Sequence, residues 1–192
     1  YFDLTTSGAI ITTFDKIERK DVARQSIKVA YDAESGFFGS KVKGEQFNLT
    51  LSEYDRVLII TQDGAFRVVG ADDKILIPGK VIWCDVLDPE KGRTFTVVYR
   101  DAEKNCFGKK VLIQSFIRDR EYELIKDKQG KVDLLTTDAN PGTVRLVFVA
   151  KKYQRVFECT FDLGTLEMAG VSTRGTRLAP QPVQKVARVS DP

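Results

Sequence analysis

Short apolar, β-branched runs separated by turn residues restrict the fold of this chain more than any other feature of its sequence. Such runs occupy residues 9–14, 56–61, 95–99 and 144–149. Runs of this length, bounded by Gly, Asp, Asn or Lys, are typical of β-strands. No stretch keeps a helical period over the window of about 11 residues that a helix assignment needs. The sequence therefore predicts an all-β protein.

Two segments test this prediction locally. Residues 56–61 and 65–69 flank Gln62-Asp63-Gly64, and an Asp-Gly pair between two apolar runs indicates a tight β-hairpin because its turn needs residues that tolerate positive φ. Residues 118–131 have the composition that comes closest to a helix, but Tyr122, Leu124 and a turn at Gly130 fit a strand and a hairpin as well.

The strand-rich openings recur along the chain. With Ile11, Leu58, Val97 and Leu146 as equivalent centres, the spacings are 47, 39 and 49 residues. This is the scale of four-stranded blade repeats, which span about 40–50 residues. No long Gly/Ser or Pro linker separates the units, so we expect one domain over residues 1–192. Its apparent blades lie near residues 5–53, 54–92, 93–141 and 142–190.

Composition narrows the function classes. The chain has 192 residues, 30 Lys and Arg, 27 Asp and Glu, a net charge of +3 and no histidine. This mild basicity permits nucleic-acid binding without requiring it, and the missing histidine removes the commonest general base and metal ligand. The three distant cysteines favour reduced, buried thiols over a disulfide framework or a metal site. No run reaches the roughly 18 apolar residues of a membrane span and no leader precedes the chain, so we expect a cytoplasmic fragment of a longer protein without membrane contact.

Each unit carries basic residues beside glycines or turns. If equivalent positions of successive blades lie on one rim, these residues form a curved positive band that suits a bent polyphosphate. Each cation would then neutralise a phosphate rather than read a base. The alternative is an ordinary solvated surface. The candidate contacts are Lys41, Lys43, Lys80, Lys109, Lys110, Lys151, Lys152, Arg155, Arg174 and Arg177.

Three segments carry a resemblance to a known family. Residues 56–68 follow an apolar strand, a glycine-containing turn and a second strand, and residues 170–178 with 182–186 resemble a closing blade. Residues 31–44 are similar to a loop of topoisomerase IV-like A subunits. The whole chain resembles the C-terminal domain of bacterial type IIA topoisomerase A subunits, the family that includes the A subunits of DNA gyrase and of topoisomerase IV.

This resemblance implies a β-pinwheel in which neighbouring blades exchange strands, and the repeat spacing gives it about four blades. Four units are fewer than the family's usual ring, so the ring is either open or reduced, or a blade has been missed. It also implies non-sequence-specific binding and bending of duplex DNA, which is presented to the ATP-dependent strand-passage core. The catalytic tyrosine, the metal-binding carboxylates and the ATPase lie elsewhere in that enzyme.

The implied partners are double-stranded DNA, the ATPase B subunit, and the rest of the A subunit, in the bacterial cytoplasm at the nucleoid. The resemblance implies no catalytic residue, metal or cofactor in this domain, since ATP and Mg²⁺ belong to the holoenzyme. The Gln-Arg-Arg-Gly-Gly-Lys-Gly box of gyrase is missing, and residues 39–44 replace it only weakly. The sequence therefore favours a topoisomerase IV-like role over supercoiling.

Two other functions stay open at this point. A protein-interaction propeller without DNA binding is one, because acidic residues dilute the charge of the third unit; they are Asp119, Glu121, Glu123, Asp127 and Asp133. An enzyme is the other, since the pair Asp72 and Asp73 could do acid–base chemistry, although a solvated loop beside Lys74 explains it more simply. Trp83 and the phenylalanines are expected in the core, because each strand must bury one face.

Overall fold

The computed structural model describes residues 26–114 and 117–189. Over these ranges the chain forms strands and one 3-10 turn, Leu163–Thr165. The strands are β1 (Ile27–Asp32), β2 (Phe37–Gly39), β3 (Gln46–Leu51), β4 (Val57–Thr61), β5 (Ala65–Val69), β6 (Ile75–Leu76), β7 (Val81–Val86), β8 (Arg93–Arg100), β9 (Cys106–Ile113), β10 (Glu121–Glu123), β11 (Lys131–Thr136), β12 (Thr143–Phe148), β13 (Glu158–Asp162), β14 (Thr176–Arg177) and β15 (Val183–Arg188).

The strands form four antiparallel sheets in sequence order. Their strand orders are β3-β1-β2-β6, β7-β4-β5-β10, β11-β8-β9-β14 and β15-β12-β13. In each sheet the opening strand pairs on one side with the second strand of its own hairpin and on the other with the third strand of the same unit. The predicted all-β pinwheel of about four blades is confirmed.

Strand exchange connects the first three sheets to the unit that follows each of them. In the first sheet the outer strand beside β2 is β6, which belongs to the second unit. In the second sheet the strand beside β5 is β10 of the third unit, and in the third sheet the strand beside β9 is β14 of the fourth unit. We call β6, β10 and β14 the donor strands. Exchange makes each sheet depend on its neighbour, so the units cannot fold as independent blades.

The β4–β5 hairpin shows how local sequence sets this topology. Gly64 has φ +85 and its N–H donates to the Thr61 carbonyl at 3.0 Å. The Thr61 hydroxyl donates to the Asp63 carboxylate at 2.5 Å. A Cβ at Gly64 would lie 2.2 Å from Cγ1 of Ile125. The turn therefore needs glycine for its backbone conformation and for the close packing of the third unit.

The core lies between successive sheets. Strand β4 is buried along its whole length, and its residues alternate between two clusters. Val57 and Ile59 pack with the first sheet, whereas Leu58 and Ile60 pack with the third. A third cluster joins the third sheet to the fourth through Val98 of β8, Cys106 of β9 and Leu146 of β12. Because a strand's side chains point alternately to opposite faces, a continuous apolar run is what a blade between two others requires.

Sequence and structure differ at the beginning of the array. The opening strands β4, β8 and β12 contain Leu58, Val97 and Leu146, as predicted. The opening strand of the first sheet is β1, whereas the run 9–14 around Ile11 lies outside the described residues. Among the residues that the structure describes, no buried cluster joins the first sheet to the fourth.

The ambiguous segment 118–131 is not helical. It contributes the donor strand β10, a turn closed by a 2.9 Å bond from the Gly130 N–H to the Asp127 carbonyl, and the start of β11. Cys84 and Cys106 are buried free thiols and Cys159 is a half-buried one. Burial raises the pKa of Cys84 and of Cys106 to about 12, which keeps both thiols protonated and unreactive at neutral pH.

Candidate nucleic-acid interface

One end of the four sheets brings together loops from every unit. At this end the opening strand of each unit connects through a hairpin loop to the second strand, and the third strand begins beside the end of the opening strand. In the second unit, for example, β4 ends at Thr61, which pairs with Val81, the first residue of β7. The hairpin loops here span residues 33–36, 62–64, 101–105 and 149–157. We call these loops, together with the residues that lead into β3, β7, β11 and β15, the hairpin edge.

Backbone hydrogen bonds make the hairpin edge continuous from unit to unit. The Gly36 carbonyl of the first unit accepts from Ile77 N–H of the second at 2.8 Å. The Gln62 carbonyl accepts from Val132 N–H of the third unit at 2.8 Å, and the Lys104 carbonyl accepts from Val183 N–H of the fourth at 2.7 Å. Successive loops are therefore held side by side rather than spread over opposite ends of the sheets.

Five of the candidate cations lie on this edge. Lys43 leads into β3, and Lys80 leads into β7, where its carbonyl accepts from Gln62 N–H at 2.8 Å. The other three occupy the hairpin loop of the fourth unit. They are Lys151, Lys152 and Arg155. All five residues are exposed, so their charges face solvent.

Arg174 and Arg177 reach the same edge from the donor segment of the fourth unit. Arg177 pairs with Phe107 and donates to the Asn105 side-chain oxygen at 3.0 Å. Arg174 lies over the Phe107 ring, 5.1 Å from its centroid. Both guanidinium groups therefore stand beside the hairpin loop of the third unit, and contact with aromatic and amide groups orients them.

Lys109 corrects the prediction made from sequence. Its side chain is buried, with 1% exposure. Its Nζ donates to the carbonyls of Leu124, Val171 and Thr173 at 2.7, 2.6 and 2.8 Å. Burial, and to a smaller extent the charge of Lys126, lowers the pKa of Lys109 to about 8. Because all three donor positions are used inside the protein, Lys109 does not contact a phosphate and instead joins two exchanged segments.

The remaining two candidates lie away from the hairpin edge. Lys110 sits within β9, and its Nζ donates to the Gly164 carbonyl at 3.1 Å. Lys41 follows β2 and forms a 2.5 Å ion pair with Asp73, which lowers the pKa of that carboxyl group. The pair Asp72 and Asp73 is thus used in ion pairs, since Asp72 also binds Arg118 at 2.8 Å. The ion pair with Lys41 favours the charged form of Asp73, which is the opposite of what a general acid needs.

Carboxylates share the hairpin edge with the cations. Asp101 accepts from the N–H groups of Glu103 and Asn105 at 3.0 and 2.8 Å. Asp127 accepts from Ala102 N–H at 2.9 Å, and this bond, together with one from Gln129 N–H, lowers the pKa of Asp127. These carboxylates shape the loops through bonds to the backbone, so the edge is mixed in charge rather than uniformly positive.

The candidate contacts omit three exposed residues on this edge. Lys104 stands in the third hairpin loop with φ 65, and Lys131 begins β11 beside Arg100. Tyr153 is 88% exposed in the fourth loop, with the Lys152 ammonium 5.2 Å from its ring centroid. Strand register was needed to place Lys131, whereas the charged and polar neighbours of Tyr153 at residues 151–155 indicate a loop in the sequence itself.

In the part of the chain that the structure describes, no three Cys, Asp or Glu side chains cluster as metal ligands would. The same residues include no helix with the length and apolar character of a membrane span.

The fold and its exchanged strands define the class of this protein as a β-pinwheel. The family model described as the topoisomerase C-terminal domain of Bacteroidota matches residues 28–190, and the chain belongs to this family. The chain is also 26% identical over 117 residues to the A subunit of DNA topoisomerase 4 from Borreliella burgdorferi. That match covers 59% of this chain and 18% of the relative. This protein is therefore a C-terminal domain of a type IIA topoisomerase A subunit.

Proposed function

We propose that the hairpin edge binds and bends duplex DNA without sequence preference, and that the domain thereby presents DNA to the strand-passage core of an ATP-dependent, topoisomerase IV-like enzyme. The observation that carries this proposal is the continuous edge to which every unit contributes exposed cations. Lys43, Lys80, Lys104 and Lys152 represent the four units. Because the sheets of a β-pinwheel are arranged radially, a duplex that follows successive units would curve.

The chemistry of the edge fits phosphate better than bases. Its cations are exposed lysines and arginines on loops, which neutralise phosphates wherever the sugar–phosphate chain runs. The carboxylates among them limit affinity and favour a path along which the phosphates lie against Lys and Arg. In the family, catalysis and ATP hydrolysis belong to other parts of the enzyme, so the domain's proposed contribution is DNA placement.

Charge-matched variants test which end of the sheets binds. The edge variant combines Lys151→Ala, Lys152→Ala and Arg155→Ala. The control variant removes three exposed cations from the opposite end, where the opening strands begin; these are Lys28, Arg56 and Lys91, each changed to Ala. Fluorescence anisotropy with a labelled duplex should show at least tenfold weaker binding by the edge variant. The proposal fails if both variants bind like the unchanged protein, or if the control variant alone loses affinity.

A protein partner is the second candidate, because carboxylates such as Asp101 and Asp127 interrupt the positive edge. A partner that binds through the same loops would be captured equally well with and without excess competitor DNA. Loss of capture in competitor DNA, together with weaker capture by the edge variant, would instead assign these loops to DNA.

A further inference from the structure

The hairpin loop of the fourth unit, residues 149–157, differs in charge from the other three hairpin loops. The loops at residues 33–36, 62–64 and 101–105 each contain at least one carboxylate. Residues 149–157 contain none, and they carry three exposed cations, Lys151, Lys152 and Arg155. A loop whose charges are all positive favours a polyanion over a protein surface of mixed charge.

Tyr153 lies among these cations with its ring in solvent. It is 88% exposed, more than any other large apolar or aromatic side chain that the structure describes. The Lys152 ammonium lies 5.2 Å from the centroid of its ring. A single exposed aromatic residue is ordinary on a protein surface. The cationic neighbours and the backbone conformation of Tyr153 distinguish it from such residues.

The backbone at Tyr153 has a conformation that bulky residues rarely adopt. Its φ is +64. In the first two hairpin loops the residue with positive φ is a glycine, Gly36 at +72 and Gly64 at +85, and in the third loop it is Lys104 at +65. Positive φ is unfavourable for a bulky side chain and persists only where the surrounding contacts impose it. Glycine would fit this turn better, so the stability of the turn does not account for a tyrosine here.

Hydrogen bonds hold this turn and connect it to the neighbouring loop. Gln154 N–H donates to the Lys151 carbonyl at 3.2 Å, and Lys151 N–H donates to the Gln154 side-chain oxygen at 2.8 Å. At the start of the loop, Val149 N–H donates to the Pro182 carbonyl at 2.9 Å. The next residue, Val183, donates its N–H to the third hairpin loop. The ring of Tyr153 is therefore presented from a fixed turn on the hairpin edge.

We propose that Tyr153 inserts its ring between base pairs of the bound duplex and kinks the DNA at the fourth unit. This inference rests on the proposed DNA contact of the hairpin edge. Side chains that insert between base steps as wedges unstack them and kink the duplex. Aromatic rings stack on any base, which suits an interface without sequence preference. Lys151, Lys152 and Arg155 neutralise phosphates near the opened step.

Photo-crosslinking tests whether the ring contacts a base. The full chain is bound to a duplex in which 5-iodouracil replaces thymine, the complex is irradiated, and crosslinked peptides are mapped by mass spectrometry. We expect the crosslink at Tyr153. If fluorescence anisotropy shows that the duplex is bound but the crosslinks map to other residues, such as Phe157, or do not form, the insertion is refuted while the DNA contact stands. If the duplex does not bind, both proposals fail.

Affinity for mismatched DNA tests whether the ring enters the base stack. A central mismatch lowers the cost of unstacking, so the unchanged protein should bind a short mismatched duplex about fivefold more tightly than the matched duplex. Tyr153→Gly removes the ring and tolerates the positive φ, so it should keep the melting temperature. The salt dependence of affinity should also stay, because the ring carries no charge. The preference for the mismatch should fall at least about threefold in Tyr153→Gly and should be kept in Tyr153→Phe.

The matched control is Tyr54→Ala, which removes an exposed tyrosine from the opposite end of the sheets, between β3 and β4. This variant should keep the preference for the mismatched duplex. The same preference in Tyr153→Gly as in the unchanged protein would refute the insertion, because bending of the duplex without the ring would then explain it. Tighter binding to a single strand than to either duplex would assign the ring to unpaired bases and would also overturn the proposal.

Discussion

Replacing Lys109 with methionine should change how stability depends on pH. The ammonium is buried among three carbonyls, and its pKa falls to about 8 from an ordinary 10.5. Because the unfolded chain binds this proton more tightly than the folded protein between those values, the folded state gains stability as pH rises through this window. For one group with these two pKa values, the gain between pH 7 and pH 9 is about 1.3 kcal/mol.

The measurement is urea denaturation at pH 7, 8 and 9, followed by fluorescence of Trp83, which packs edge-on against Phe95 at 5.3 Å. The free energy of unfolding of the unchanged protein, minus that of Lys109→Met, should rise by about 1.3 kcal/mol across the series. The raised folded pKa values of Cys84 and Cys106 reduce stability above about pH 9, but they do so in both proteins and cancel.

The control for this series is Lys110→Met, one residue along the same strand, where the side chain is partly exposed and donates to the Gly164 carbonyl. A difference for Lys109→Met that rises no more than that for Lys110→Met would refute the reasoning. It would mean that the three carbonyl bonds favour the ammonium as strongly as burial disfavours it.

One further substitution tests the packing between units, and another tests an ion pair within the third sheet. Gly64→Ala should destabilise the fold by well over about 1 kcal/mol, because φ is +85 at this position and the new Cβ would meet Ile125. The control is Gly142→Ala, where φ is +74 but no atom lies within 4 Å of the new Cβ, and it should cost clearly less free energy of unfolding in the same denaturation assay. Equal costs for the two substitutions would contradict the packing argument. Arg100→Ala should lower the free energy of unfolding by about 3 kcal/mol, because it leaves the largely buried Asp133 carboxylate without the ion pair that it forms at 2.5 Å. A change below about 0.5 kcal/mol in calorimetry would show that the pair contributes little to stability.

Periodicity and turn chemistry were enough to predict the fold class and most opening strands. The apolar runs around Leu58, Val97 and Leu146 became β4, β8 and β12, and Asp63-Gly64 became their clearest hairpin. Strand exchange itself was implied only by resemblance. The donor strands β6 and β14 have two residues each, which is too short for any pattern to register, and their partners lie in another unit.

The site was harder to predict because exposure depends on strand register. Lys109 and Lys110 are neighbours with the same local sequence, yet one is buried and the other is partly exposed. A lysine at a position that faces a neighbouring sheet can be buried when carbonyls from exchanged segments meet its ammonium, and those carbonyls come from residues 124, 171 and 173. Glycine beside lysine at 108–110 therefore indicated close backbone packing rather than phosphate binding.

The salt dependence of duplex affinity tests the central claim most directly. If the hairpin edge contacts at least one phosphate through each of the four units, the log–log slope of affinity against salt should be steeper than about −3.6. The Lys151→Ala, Lys152→Ala and Arg155→Ala variant should be shallower by up to about 2.7, while the control at Lys28, Arg56 and Lys91 keeps the slope. No binding at low salt, or equal slopes for the edge variant and the unchanged protein, would contradict the account.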